Sequence, residues 1–172
     1  MKYTLSILTL ALIVVACANT KELPEENNNA MSEFKNISEE DSLFASIKRG
    51  FCYGTCPVYE MKIYNSGYTT LEGTRNIELI GKYATTITGD QMRALLEKAM
   101  TIGYMDMEDS YDNSSITDLP ESTTSIVVNG KRKQVLKRYG YPKPLSEFEK
   151  MFDALLTSEE WHLDKLDDPS AE

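Results

Sequence analysis

Cys52-Tyr53-Gly54-Thr55-Cys56-Pro57-Val58-Tyr59-Glu60-Met61-Lys62-Ile63-Tyr64-Asn65-Ser66-Gly67 holds a loop, a strand and a turn in one run. Tyr59, Met61 and Ile63 alternate with Glu60, Lys62 and Tyr64, the two-residue period of a strand with one buried and one wet face. Asn65-Ser66-Gly67 supplies turn residues, and Tyr68 to Gly73 returns as the partner strand of a hairpin. Upstream, Leu43, Ala45 and Ile47 alternate with Phe44, Ser46 and Lys48, which predicts a first strand running into the cysteine loop. Downstream, Tyr83, Thr85 and Ile87 mark another short strand.

The helices announce themselves by a different period. Thr88 with Gln91 three residues later is a capping box. Met92, Leu95, Leu96, Ala99 and Met100 then form one apolar stripe, and Gly103 stands where a left-handed C-terminal cap is wanted. Tyr104 to Glu121 reads as an acidic loop ending in Thr117-Asp118-Leu119-Pro120. Thr123 to Val128 and Lys131 to Tyr139 flank Asn129-Gly130, a strong two-residue hairpin turn. Ser146 with Glu149 suggests a second capping box, and Phe148, Phe152, Leu155 and Leu156 give a second helix its stripe. The order β-β-β-β-α-β-β-α, with hairpins dominant, predicts an α+β fold: an antiparallel sheet of hairpins with two amphipathic helices packed on one face.

Outside this pattern the chain changes character. Lys2 precedes a mostly apolar run, Leu5 to Val15, that is too short to span a membrane and ends in Val14-Val15-Ala16-Cys17. A small residue directly before cysteine, after two aliphatics, resembles the bacterial lipobox. That resemblance implies a signal peptide at residues 1–16, cleavage before Cys17 and acylation of Cys17, which would anchor the protein to an envelope membrane. Ala18 carries no aspartate retention signal, which leans the expectation to the outer membrane. Residues 17–40 are polar and acidic without hydrophobic period, and are expected to form a disordered tether. A single domain is expected over residues 41–158, and residues 159–172 read as an acidic C-terminal extension.

The 172 residues carry a net charge of −9, which opposes nucleic-acid binding because phosphate neutralisation needs lysine and arginine. With Cys17 assigned to lipid, Cys52 and Cys56 remain as a pair that an oxidising compartment would join. Closing so short a loop is worth about 2 kcal/mol. The same two thiols could instead serve a redox role, although no helix start is predicted beside them to lower a thiolate pKa.

The run Cys52-x-Gly54-x-Cys56-Pro57-x-Tyr59, then Ile63-Tyr64-x-x-Gly67, Thr117-Asp118-x-Pro120 and Asn129-Gly130-Lys131, resembles an uncharacterised bacterial family, domain of unknown function 6438, found largely in lipoproteins. The resemblance runs from about Leu43 to Leu156. It implies the domain limits and an exported setting, and it supplies no activity.

No catalytic constellation is visible. His162, beside Trp161 near the C-terminus, is the one histidine through which a Ser-His or Cys-His mechanism would run. Asp106, Glu108, Asp109, Asp112 and Asp118 lack the spacing and turn glycine of an EF-hand, so a solvated loop is expected rather than a metal site, with Asp118 making a local turn bond. Lys131, Arg132, Lys133, Lys137 and Arg138 read as a guarded wet strand, or as a contact for an anionic partner. No cofactor is expected. The sequence reading is therefore a non-catalytic binding or scaffolding domain whose contacts are Tyr53, Thr55, Tyr59 and Asp118 around a Cys52–Cys56 staple. Its partner would be an envelope protein or glycan. A thiol-disulfide protein and a proteinaceous enzyme inhibitor are the alternatives.

Overall fold

The computed structural model describes residues 41–116 and 118–164. Residues 1–40, with Cys17 and the expected leader and tether, lie outside the described residues, as do Thr117 and residues 165–172. The strands are β1 (Leu43–Arg49), β2 (Val58–Tyr64), β3 (Tyr68–Arg75), β4 (Gly81–Thr86), β5 (Ser110–Tyr111), β6 (Ser122–Val128), β7 (Lys131–Lys137) and β8 (His162–Leu163). Helix α1 (Gly89–Thr101) follows β4, and α2 (Lys143–Ser158) follows β7. The strands form one sheet in the order β5-β7-β6-β1-β2-β3-β4-β8. Every pairing is antiparallel except the short β5–β7 contact. The α+β architecture read from the periodicities is the architecture found.

Register explains the core. Ala45, Ile47, Met61, Ile63, Leu71 and Ile126 fall on one face because Ile47 stands opposite both Met61 and Thr124, and Met61 opposite Leu71. That face meets Leu95 and Ala99 of α1 and Leu145, Phe148, Phe152 and Leu155 of α2 in a single cluster. Phe148 packs edge-on to Phe152 at 5.3 Å and tilted against buried Tyr104 at 5.1 Å, favourable quadrupole arrangements. The opposite face carries Lys48, Glu60, Lys62, Glu72 and Lys82.

Helix α2 crosses the strands rather than following them. Ser146 meets Lys137 of β7, Glu149 meets Ser122 of β6, Asp153 meets Arg49 of β1 and Tyr59 of β2, and the Glu160 carbonyl accepts from Thr85 of β4. Helix α1 starts beyond β4 and leads back to β6, where the Tyr104 hydroxyl donates to the Thr124 carbonyl at 2.8 Å. Lys98 and Glu147 tie the two helices together at 2.8 Å.

Local signals hold well at α1: both halves of the Thr88–Gln91 capping box form, and Gly103 adopts φ 67° just past the helix. They fail at α2. The helix begins at Lys143, with Pro142 as its N-cap and Pro144 in its first turn, so Ser146 and Glu149 are interior residues. Glu149 is claimed by tertiary partners and is only 1% exposed. The domain also extends past Ser158. Trp161 donates its indole N–H to the Leu155 carbonyl, and His162-Leu163 pair with Tyr83-Ala84, so this segment packs onto the domain and its residues 162–163 join the sheet rather than forming an extension. The acidic segment after α1 is likewise not a plain loop, since it contains a 3-10 turn at Tyr104–Asp106 and the strand β5.

The sheet therefore has two unlike ends. At the turn end lie the β2–β3 and β6–β7 turns and the cap of α1. Asp41 and Ser42 are hydrogen-bonded to the first of these turns. At the loop end lie the four longer connections: 50–57, 76–80, 112–121 and 138–142. A seven-residue strand puts the two ends about 23 Å apart.

Candidate functional site

The last row of helix-facing side chains before the loop end is polar: Lys137, Ser122, Arg49 and Tyr59, side by side on β7, β6, β1 and β2. Two carboxylates of α2 roof it. Asp153 takes Arg49 in a two-point contact, Nε to Oδ1 at 2.9 Å and Nη2 to Oδ2 at 2.6 Å, and its Oδ1 also accepts from the Tyr59 hydroxyl at 2.5 Å. Glu149 accepts from Ser122 at 2.5 Å and from Lys137, with the Arg49 guanidinium at 3.5 Å. A buried carboxylate is tolerable only when so fully partnered. Burial, then the Asp153 carboxylate, pushes the Tyr59 hydroxyl well above the usual tyrosine range. Burial alone would lower the Arg49 pKa, but the Asp153 hydrogen bond and neighbouring charges outweigh it and hold the guanidinium more firmly protonated.

Arg49 and Tyr59 are the two feet of the cysteine loop, so a single side chain, Asp153, clasps both. Within the loop Cys52 and Cys56 are joined as a disulfide, with Cα atoms 5.9 Å apart. Further bonds seat the loop: Gly50 N–H donates to the Glu121 carbonyl at 2.8 Å, and the Asn76 side chain donates to the Cys56 carbonyl at 3.0 Å. Connection 76–80 folds back over Gly73, where a Cβ would come within 1.8 Å of the Leu79 carbonyl oxygen. Only glycine fits there.

The expected contact residues divide. Tyr53 is 96% exposed at the loop tip and Thr55 is exposed beside it. Tyr59 is buried and committed to Asp153, so it is a foot of the loop and not a contact. Asp118 is exposed and makes no hydrogen bond among the described residues, so the expected turn bond does not form there. Of the five cations on β7 and beyond, Lys133 pairs with Asp109, Lys137 with Glu149, Arg138 with Glu121 and Asp112, and Arg132 reaches Ser125. Three of the five thus serve the domain's own acids, and β5 covers part of their strand.

The Ser122 hydroxyl sits on the Glu149 carboxylate, but both are buried beneath α2, away from the surface a substrate would reach. Lys137 Nζ lies 3.3 Å from Ser146 Oγ, but it is ion-paired with the Glu149 carboxylate and not placed as a free base. His162 is exposed on β8, at the opposite edge of the sheet. Among the described residues no three side chains of metal-ligating type converge, and no helix is long and apolar enough to cross a membrane. A groove of about 220 Å³ on the other sheet face is lined chiefly by charged residues of both signs, Glu60, Lys62, Glu72, Lys82 and Asp164.

Missed by the sequence reading were Arg49, Glu149 and Asp153, together with Phe51, Tyr139 and Tyr141, further exposed apolar groups on the loop-end connections. The Tyr139-Gly140-Tyr141-Pro142 run was a usable signal, since aromatics separated by glycine and stopped by proline belong to a loop.

Fold and site define a class: a small α+β domain with one helix-covered antiparallel sheet and a disulfide-closed loop at one end. The chain belongs to the family described as Domain of unknown function (DUF6438), whose model matches residues 44–156. That span begins in β1 and stops in α2, leaving Trp161 and β8 outside the match. No curated protein matches the chain.

Proposed function

We propose that this domain is a non-catalytic binding module of an envelope lipoprotein, lipidated at Cys17, that presents its loop end to a partner. The observation that carries this reading is a disulfide-closed loop with its feet clasped by Asp153 and Tyr53 almost wholly exposed at its tip. A rigid aromatic on a pre-organised loop loses little entropy when it binds. The position of Asp41 supports the same reading, because a chain anchored through its N-terminus would reach the domain at the turn end and leave the loop end free. The anchor is tested by metabolic labelling with a fatty acid, which Cys17→Ala should abolish. Binding is tested by crosslinking in envelopes: a product formed by the native protein should be lost with Tyr53→Ala, and an unchanged pattern would sink the reading.

One observation favours a second reading, a thiol-disulfide role. The Gly54 N–H points at Cys52 Sγ from 3.3 Å, a bond that would favour a thiolate there after reduction. A Cys52–Cys56 potential between about −230 and −120 mV would place the pair among working oxidoreductases, and one below about −300 mV among structural staples.

A further inference from the structure

Among the described residues eight large apolar side chains are exposed, and six of them stand on the loop-end connections: Phe51, Tyr53, Ile80, Leu119, Tyr139 and Tyr141. The connections adjoin one another in an unbroken series. Asn76 bonds Cys56, Gly50 bonds Glu121, and Arg138 pairs with Glu121. With about 150–250 Å² available on each aromatic, the six exposed fractions amount to about 700 Å². Gathered at one end of the sheet, that approaches the roughly 800 Å² per partner of a stable interface.

Charge narrows the choice of partner. The four connections taken with one residue on either side, 49–58, 75–81, 111–122 and 137–143, hold four acidic and five basic side chains, and Asp153 and Glu149 of α2 bring the acids to six, so this end is nearly neutral in a chain of net charge −9. Two copies repel at most other approaches, and here they do not. Two ion pairs beneath the patch, Arg49 with Asp153 and Arg138 with Glu121, are already made, so covering the patch strands neither. A neutral patch of tyrosines also suits itself: ring packs on ring while the hydroxyls stay at the wet rim.

We infer that the loop end is a self-association surface, on which two copies meet about a twofold axis with Phe51, Tyr53 and Tyr139 at its centre. This rests on the binding-module reading and names its partner as a second copy of the chain. The two turn ends then face outward at opposite poles of the dimer.

Sedimentation equilibrium of residues 18–172, which retain the whole described domain, tests it. The expected result is a monomer–dimer equilibrium between micromolar and millimolar concentration. The double variant Tyr53→Asp, Tyr139→Asp should weaken it at least about tenfold with an unchanged circular dichroism spectrum. Met100→Asp, at an exposed apolar position on α1, should leave it intact. A monomer at every concentration overturns the inference, and so does a dimer indifferent to Tyr53 and Tyr139. If the chain is monomeric yet Tyr53 still crosslinks to another envelope component, self-association falls and the binding module stands. If both fail, both readings fall.

Discussion

The turn end and the loop end are built from the same strands and solve opposite problems. At the turn end the chain reverses with the fewest residues: Asn129 and Gly130 sit at φ 51° and 74°, a local solution that needs no help from elsewhere. At the loop end the chain takes long excursions. Their shape is imposed from outside by a disulfide, a helix carboxylate and a row of ion pairs. The Asn129-Gly130 turn is specified by neighbours in sequence, and the loop end by residues up to 104 positions away. A surface held by tertiary contacts can carry exposed apolar groups that a bare turn could not keep in place.

That contrast can be broken most severely by alkali. Burial raises Tyr59 and Tyr104 above their usual value, so both favour the protonated fold. Their stabilisation is complete below about pH 10 and is lost as pH rises from there through the folded values. Unfolding should therefore set in above pH 10 in step with tyrosinate absorbance. If the loop end is the weak point, Tyr59→Phe should delay it more than Tyr104→Phe. Next comes Glu149→Ala, which leaves Lys137 without its buried partner and should cost about 3–5 kcal/mol in chemical denaturation. A loss below about 1 kcal/mol would mean that the polar row does not hold the loop end. Replacing both Cys52 and Cys56 by serine should cost about 2 kcal/mol, with hydrogen exchange quickened in residues 50–57 and not at the turn end. The smallest effect belongs to the turn end. Asn129→Ala should cost about 1–2 kcal/mol through its left-handed backbone, while Asn129→Gly should be nearly silent.

What the sequence disclosed follows the same division. The strands, the Asn129-Gly130 turn and the Thr88–Gln91 cap were legible because each depends on residues at most a few positions apart. The disulfide and the exposure of Tyr53 were legible because the loop is short and flanked by strands. The polar row was not. Glu149 reads as a capping residue by spacing, and only the passage of α2 across β7, β6, β1 and β2 turns it inward. Tyr59 fits a contact role by sequence and a core role by register, and register decides. His162-Leu163 looked like a tail because two residues cannot show a period, and their pairing with β4 depends on where α2 ends.

The double hold of Asp153 on Arg49 and Tyr59 also bears on the order in which the molecule assembles. The cysteines are four residues apart and can meet, and oxidise, as soon as that segment exists. The clasp joins positions separated by 94 and 104 residues and must wait for the last helix. Chain closures of that span make folding slow. As the domain folds, the loop should thus be covalently closed well before it is seated, with its aromatic tip the last part of the domain to reach its final position.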